Sequence, residues 1–258
     1  MASITSQAQV KRLSRLSFCY LCGQPFRGFE NDRDHVPPNA IFQKRDRDFP
    51  LILPTHRECN RAQSVDDSKI GNLFRLLRGE EYQSARGKLG ISEAPIYPNV
   101  KAIDNLYLQG IIRRWVRGFH SALYGEFLPD RSNFSTSPPL ASTSEDQTER
   151  PLPETHAAFT DALKKNRTAG TMDRIICRNN TCIYECVWVL DDRSQWMCIF
   201  CLDIYGWIKA TPRESGLTPR GCVGAYWMPD RTCPILGTSS TVLDFPFINR
   251  NTLDPFAP

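Results

Sequence analysis

The stretches 17-SFCYLCGQPF-26 and 54-PTHRECNRAQS-64 decide the fold of the N-terminal part of this 258-residue chain. The first contains a Cys-x2-Cys pair and the second a His-x2-Cys pair. Two such pairs can complete a tetrahedral zinc site that leaves no coordination position for a substrate, so the ion is structural. The alternative is four unconnected core side chains. The predicted zinc ligands are Cys19, Cys22, His56 and Cys59.

Three polar residues lie between and beside these pairs. Asp34 and His35 precede a Pro-Pro turn, and Asn60 directly follows the last cysteine. Hydrolysis of a phosphodiester needs a base and a bound cation. Imidazole titrates near neutral pH, and carboxylate and amide oxygens suit Mg²⁺ or Mn²⁺. We therefore predict that His35 is a general base and that Asp34 and Asn60 bind a catalytic metal. The alternatives are a surface histidine and a surface amide.

The pattern C-x2-C, D-H and H-x2-C-N over residues 17–68 resembles the HNH endonuclease superfamily, also called ββα-metal or His-Me finger nucleases. The layout is also similar to phage junction resolvases of the endonuclease VII type. DHVPPNAIF resembles a group of bacterial HNH proteins with a DHxPP segment, and an RG-aromatic segment extends this likeness to about residue 129. The resemblance implies the same roles for His35, Asp34, Asn60 and the zinc ligands.

One family feature is missing from the sequence. The middle Asn of the HNH name lies in or just before the second strand and orients the catalytic histidine. Here residues 48–52 read DFPLI, and the nearest Asn, Asn39, lies in the preceding loop. Either a backbone carbonyl orients His35, or activity is weakened.

We expect an α+β protein with four regions. Residues 1–80 form the zinc-stabilised ββα-metal finger, and residues 81–128 form a helical extension. Residues 129–168 form a linker rich in Pro, Ser and Thr that includes a short helix. Residues 169–258 form a C-terminal β domain, because this region is rich in Ile, Val, Trp, Tyr and Phe.

Within this plan, two details concern individual elements. The pair Ser64 and Asp67 has the spacing of a capping box, which predicts a second helix starting at Val65. Cysteines in the β region are predicted to be core residues rather than a second zinc site, and Cys198 and Cys201 should face opposite sides of a strand.

The basic excess lies in the N-terminal half. Residues 1–128 hold 19 Lys+Arg against 13 Asp+Glu, whereas residues 129–258 hold 13 against 15. This distribution fits a polyanion partner such as DNA. Three arginines near Trp115 are candidates for phosphate contacts, although a solvated helix face explains them as well. They are Arg113, Arg114 and Arg117.

The chain has neither an apolar run long enough to span a bilayer nor a secretory signal, so we expect no membrane partner. Ten cysteines without a signal sequence favour a reducing, cytoplasmic setting.

Three functions therefore compete. The first is a metal-dependent DNA endonuclease. The second is a zinc-finger module that binds nucleic acid or protein without catalysis. The third is an effector subunit, as in bacterial anti-phage defence, that needs a protein partner bound through its C-terminal domain. The last is family-level analogy.

Overall fold

The protein is described by a computed structural model of mixed α and β content. The residues that the structure describes are 3–13, 16–78, 91–93, 101–103, 107–129, 134–137, 153–191, 194–207, 221–228 and 241–242.

The N-terminal part is built around a β-hairpin followed at once by a helix. Strand β1 (Ser3–Ile4) and helix α1 (Gln7–Leu13) come first. Strand β2 (Asn31–His35) then pairs antiparallel with β3 (Ile52–His56), so that His35 lies opposite Ile52. Helix α2 (Arg57–Leu77) begins at the residue after β3. The two predicted ligand pairs therefore lie at one end of the hairpin, because His56 ends β3 and Cys59 lies in the first turn of α2.

Helix α2 is continuous over 21 residues, so the prediction of a new helix starting at Val65 was wrong. The Ser64 hydroxyl donates to the carbonyl oxygen of Arg61 at 2.8 Å instead of capping a helix. Serine within a helix commonly bonds in this way to the preceding turn. The Asp67 carboxylate faces Arg114 of a later helix. Tertiary pairing thus overrode the local capping signal.

The region predicted as a helical extension is only partly helical. Strands β4 (Ile91–Glu93) and β5 (Lys101–Ile103) form a small antiparallel pair, although residues from 100 onward were expected to be helical. Helix α3 (Leu108–Tyr124) follows, and it ends at Gly125 with φ 69°. Glycine adopts this left-handed conformation without a steric penalty, which makes it a frequent helix terminator.

The predicted C-terminal sheet is confirmed, and it recruits strands from outside that region. Strand β6 (Phe134–Ser137) comes from the stretch expected to be a linker, and helix α4 (Pro153–Ala169) corresponds to the short helix predicted within it. The remaining strands are β7 (Asp173–Cys177), β8 (Cys182–Leu190), β9 (Trp196–Ile204), β10 (Cys222–Met228) and β11 (Thr241–Val242). The order is β1-β7-β8-β9-β10-β6, with β11 beside the end of β8.

Both faces of this sheet are covered. One face packs on α3 and the N-terminal part in a large buried cluster that includes Trp115, Phe119 and Cys198. The other face packs on α4 in a second cluster that includes Phe159 and Cys201. Cys198 and Cys201 therefore face opposite sides, as predicted. Burial on both faces explains why the strands are almost continuously apolar.

The N-terminal part and the sheet are directly connected. Strand β1 pairs parallel with β7, and the large apolar cluster includes residues from both regions. This connection places the β7–β8 turn beside the hairpin. Among the described helices, none has the length and apolar character needed to cross a membrane.

Candidate metal centre and active site

Four side chains form a cluster with the composition and spacing of a zinc site. The ligand atoms of Cys19, Cys22, His56 and Cys59 all lie within 4.8 Å of one another. The Sγ atom of Cys22 lies 3.3 Å from Nδ1 of His56, and that of Cys59 lies 4.0 Å from it. These distances suit a tetrahedral ion with bonds of about 2.0–2.3 Å. The cluster can therefore bind zinc, as the ligand spacing predicted.

The turn that carries the first pair is fixed by its backbone. The Cys19 amide donates to the carbonyl oxygen of Gln24 at 2.9 Å, and the Gly23 amide donates to that of Cys19 at 2.8 Å. Gly23 has φ 77°, and a Cβ atom there would lie 2.7 Å from the Phe127 ring. Both the left-handed backbone and the close ring require glycine.

His56 is oriented by contacts on the side away from the thiols. Its Nε2 lies 3.2 Å from the carbonyl oxygen of Pro25, while Nδ1 faces the cysteines. The Phe26 and Phe29 rings flank the imidazole at centroid distances of 5.4 and 4.3 Å. A histidine that donates one ring N–H to a carbonyl presents the other nitrogen to a metal, which is the usual arrangement around zinc.

The pKa values of Cys19 and Cys59 are shifted in opposite directions. Burial raises the pKa of Cys19, but backbone hydrogen bonds, above all from His56, outweigh it and lower that pKa overall. Burial and the neighbouring thiols raise the pKa of Cys59 to about 12. Without a cation, burial and the neighbouring thiols therefore disfavour deprotonation of Cys59. A divalent ion reverses this, because coordinated thiols lose their protons.

Asp34 lies in a buried polar network. The Tyr20 hydroxyl donates a short hydrogen bond to its carboxylate. Burial raises the pKa of Asp34, although the Tyr20 hydrogen bond and the Arg114 charge oppose this. Arg114 forms an ion pair with Asp67. Burial and the charge of Asp34 raise the pKa of Asp67. The Asp34 carboxylate thus accepts a hydrogen bond from Tyr20 and lies near one cation, Arg114.

Asn60 lies beside the same strand but contacts Asp32. Its Nδ2 donates to Oδ2 of Asp32 at 2.9 Å and lies 3.4 Å from the carbonyl oxygen of Arg33. The Asn60 hydrogen bond is the main reason that the pKa of Asp32 is lowered. Asp32 and Asp34 point to the same face of β2, because they are two residues apart. With Nδ2 engaged, the Oδ1 atom of Asn60 remains as its acceptor.

His35 has a different environment from Asp34, because adjacent residues of a strand point to opposite faces. Burial lowers the pKa of His35, and the charges of Arg178 and Arg47 lower it further. The imidazole is therefore neutral at pH 7, which is the form that accepts a proton. Within the described part of the chain, no hydrogen bond to the His35 ring is found. Neither the missing Asn nor a backbone carbonyl orients it there.

The three arginines of α3 have internal contacts. Arg114 and Arg117 are buried. Arg114 pairs with Asp67 and lies 3.2 Å from Oε1 of Gln63, whereas Arg117 donates to the carbonyl oxygens of Leu128 and Leu21. Arg113 lies over the Phe134 ring at 5.1 Å. Their proposed contacts with phosphate stay a prediction, but two of them already serve the core.

Sequence reasoning missed three residues around this site, namely Tyr20, Asp32 and Arg178. Tyr20 lies inside the Cys-x2-Cys pair, and Asp32 lies two positions before Asp34, so strand alternation alone indicated Asp32. Nothing local indicated Arg178, since it comes from the sheet. Among the described residues, the Cys19, Cys22, His56 and Cys59 group is the one set of three or more Cys, His, Asp or Glu side chains placed closely enough to share a metal ion.

Comparison of the chain with protein-family models, with curated proteins and with solved structures gave no match.

Proposed function

We propose that the protein is a metal-dependent HNH endonuclease that hydrolyses phosphodiester bonds in DNA. One observation carries the proposal. The Cys/His cluster joins a cysteine turn to the start of α2. Strand β2 of the hairpin ends with Asp34 and His35, and Asn60 lies in the first turn of α2. This strand–strand–helix order with its metal cluster is the arrangement expected of a ββα-metal finger.

Zinc has a structural role in this proposal. All four ligand positions are filled by protein side chains, so the ion has no site for a substrate. It fixes the start of α2 against the cysteine turn and thereby holds Asn60 beside β2. A metal bond supplies folding free energy in this region.

The catalytic metal would be held by oxygen atoms of Asp34 and Asn60. The donor set fits Mg²⁺ or Mn²⁺, since these ions prefer carboxylate and amide oxygens. Asn60 donates its Nδ2 to Asp32, which leaves Oδ1 for a cation. When bound, the ion supplies positive charge that stabilises the phosphate and the departing 3′ oxygen. Tyr20 and Arg114 hold Asp34 in place before any ion arrives.

His35 is the general base in the proposal. Its pKa is lowered by burial and by two arginines, so the neutral ring takes a proton from the attacking water at pH 7. Asp34 and His35 thus divide the work between metal binding and proton transfer.

The test is cleavage of supercoiled plasmid with Mg²⁺ or Mn²⁺, and with EDTA as the metal-free reaction. We expect His35→Ala to lower the cleavage rate by about 10²–10⁴-fold while zinc content and fold are unchanged. His156→Ala is the matched control, because burial also lowers the pKa of His156, which lies in α4 away from the hairpin. Equal rates for wild type and His35→Ala would remove the mechanism.

A second candidate is a zinc-stabilised module that binds nucleic acid without cleaving it, alone or with a protein partner at the sheet. The specific observation in its favour is that no described residue hydrogen-bonds to the His35 ring, since catalysis requires an oriented base. Binding to DNA without cleavage, with either metal and in the presence of candidate partners, would favour this function.

A further inference from the structure

The turn between β7 and β8 brings an arginine of the sheet to the hairpin. Arg178, Asn179 and Asn180 all have positive φ, between 53° and 62°, and the Thr181 amide closes the turn on the Arg178 carbonyl at 3.0 Å. The Arg178 amide donates to the carbonyl oxygen of Phe49 at 3.2 Å. Its Nη2 donates to that of Pro37, also at 3.2 Å. Arg178 is thus held against both ends of the loop between β2 and β3.

The guanidinium of Arg178 lacks an anionic partner among the described residues. The side chain is fully buried, and its Nε and Nη1 atoms have no hydrogen-bond acceptor there. It lies over the Phe42 ring at 4.8 Å. Burial lowers the pKa of Arg178, and the Arg47 charge lowers it further. Buried charges are normally paired, and unpaired buried N–H groups are rare, so this group is suited to receive an anion.

A basic cavity shares one residue with this group, because Phe42, over whose ring the Arg178 guanidinium lies, also lines the cavity, whereas Arg178 is not among its described lining residues. Its volume is about 450 Å³, and its walls include Phe42, Lys44, Arg45, Arg47, Arg75 and Arg78. The nearby Asp46 does not line it. Asp46 is buried, accepts a hydrogen bond from the Tyr205 hydroxyl at 2.7 Å and lies 3.9 Å from Nε of Arg45, so it offsets the charge of one of the five basic side chains.

Arg47 connects the cavity to the catalytic histidine. It lines the cavity, it is exposed, and its charge acts on both His35 and Arg178. One hydrogen bond, from its Nε to the carbonyl oxygen of Phe42 at 3.2 Å, holds the side chain. Arg47 therefore gives up one described hydrogen bond when it turns toward a phosphate. The phosphate would then contact the guanidinium groups of Arg47 and Arg178.

We propose that Arg178 and Arg47 bind the scissile phosphate beside His35, and that the basic cavity holds the adjoining phosphodiester backbone of the nucleic-acid strand. That the bound phosphate is the scissile one rests on the proposed function, whereas the binding itself rests on the cavity and on Arg178. The planar fork of arginine matches phosphate oxygens, and a row of basic residues follows a charged backbone. The C-terminal sheet then supplies part of the active site.

Binding without cleavage separates this inference from the nuclease proposal. The probe is a fluorescein-labelled DNA oligonucleotide, and its affinity for the full chain is measured by anisotropy over a series of salt concentrations with no Mg²⁺ or Mn²⁺. We expect Arg178→Met to weaken binding at least tenfold and to reduce the slope of log affinity against log salt by about one. Arg178→Lys should recover part of the affinity.

Arg174→Met is the matched control, since Arg174 is an exposed arginine of β7 and the same charge is lost. Its affinity should stay within about twofold of wild type on the general scale for surface contacts. If Arg178→Met fails to fold by circular dichroism, Arg47→Met takes its place, because Arg47 is exposed and its loss leaves the core intact.

The outcomes are distinct. The inference is overturned if folded Arg178→Met binds DNA with the affinity and salt slope of wild type, whatever the cleavage assay gives. The same result for Arg47→Met overturns it where that variant replaces Arg178→Met. Wild-type chain that binds through Arg178 but cuts no plasmid would leave this binding site standing and would remove the nuclease proposal.

Discussion

The Tyr20 hydroxyl donates a hydrogen bond to the Asp34 carboxylate, and this bond joins the cysteine turn to the end of the hairpin. Tyr20 is 1% exposed and lies in the sequence between two cysteines that could bind zinc, whereas Asp34 precedes the candidate base. The zinc cluster and the candidate catalytic metal site are therefore coupled through one side chain. Burial and the Asp34 charge raise the pKa of Tyr20 well above its ordinary value, so the phenol stays protonated and acts as the donor.

Replacing Tyr20 by Phe should weaken the candidate catalytic metal site and leave zinc bound. Removing an outer hydrogen bond to a metal ligand typically lowers metal affinity by about 10–100-fold. The measurement is the Mn²⁺ dependence of plasmid cleavage, with zinc content determined by mass spectrometry. Tyr184→Phe is the control, because it also removes a buried tyrosine hydroxyl, in this case from β8 of the sheet. An unchanged Mn²⁺ dependence in Tyr20→Phe would argue against Asp34 as a ligand.

Loss of one cysteine ligand should remove the zinc ion and melt the start of α2. We expect Cys59→Ser to lose its stoichiometric zinc and much of its thermal stability, because the ion supplies folding free energy in this region. Zinc content per chain and circular dichroism check this. Cys201→Ala, which lies in the core against α4, should keep one zinc per chain. A full zinc complement in Cys59→Ser contradicts the assigned ligand set.

Asn60 and Asp32 should be separable by their effects on cleavage. If Asn60 is a metal ligand, Asn60→Ala reduces cleavage far more than Asp32→Ala, since only the first removes an oxygen atom that binds the catalytic metal. If Asn60 serves only to hold Asp32, the two variants and their double mutant lose equal activity. The comparison needs the rates of all three variants at saturating Mg²⁺.

Arg114 should matter for stability rather than for DNA affinity. The ion pair of Arg114 with Asp67 is buried, with side-chain exposures of 7% and 19%. Arg114→Met leaves the Asp67 carboxylate unpaired, and breaking such a pair costs about 3–5 kcal/mol of unfolding free energy. Urea denaturation measures this loss. The salt dependence of oligonucleotide binding should not change, and a smaller slope would restore the prediction that α3 contacts phosphate.

Two glycines near the cysteine turn provide a matched test of packing. Both have positive φ, 77° at Gly23 and 81° at Gly28, but only Gly23 has a neighbour in the path of a Cβ atom. Gly28→Ala should cost about 1 kcal/mol for the backbone conformation. Gly23→Ala should cost about 2–4 kcal/mol because it also strikes the Phe127 ring. Equal losses in thermal or urea denaturation would mean that the ring moves aside.

The sequence by itself determined the metal cluster and the character of the elements. A Cys-x2-Cys turn and a His-x2-Cys helix start are local geometries, so the spacing of Cys19, Cys22, His56 and Cys59 predicts that each pair can share an ion. The β character of the C-terminal region followed in the same way from its β-branched and aromatic content. The distinct surroundings of Asp34 and His35 followed from strand alternation.

Only the tertiary structure decided which groups surround those residues. Asp67 has a capping pattern, but it lies within a continuous helix and pairs with Arg114, 47 positions away. Arg178 contacts the Pro37 carbonyl across 141 positions, because β7 and β8 pair and their turn meets the hairpin. Periodicity and spacing record the order of residues along one segment. They carry no record of which distant segment supplies the neighbouring charge, and at His35 that charge comes from the sheet.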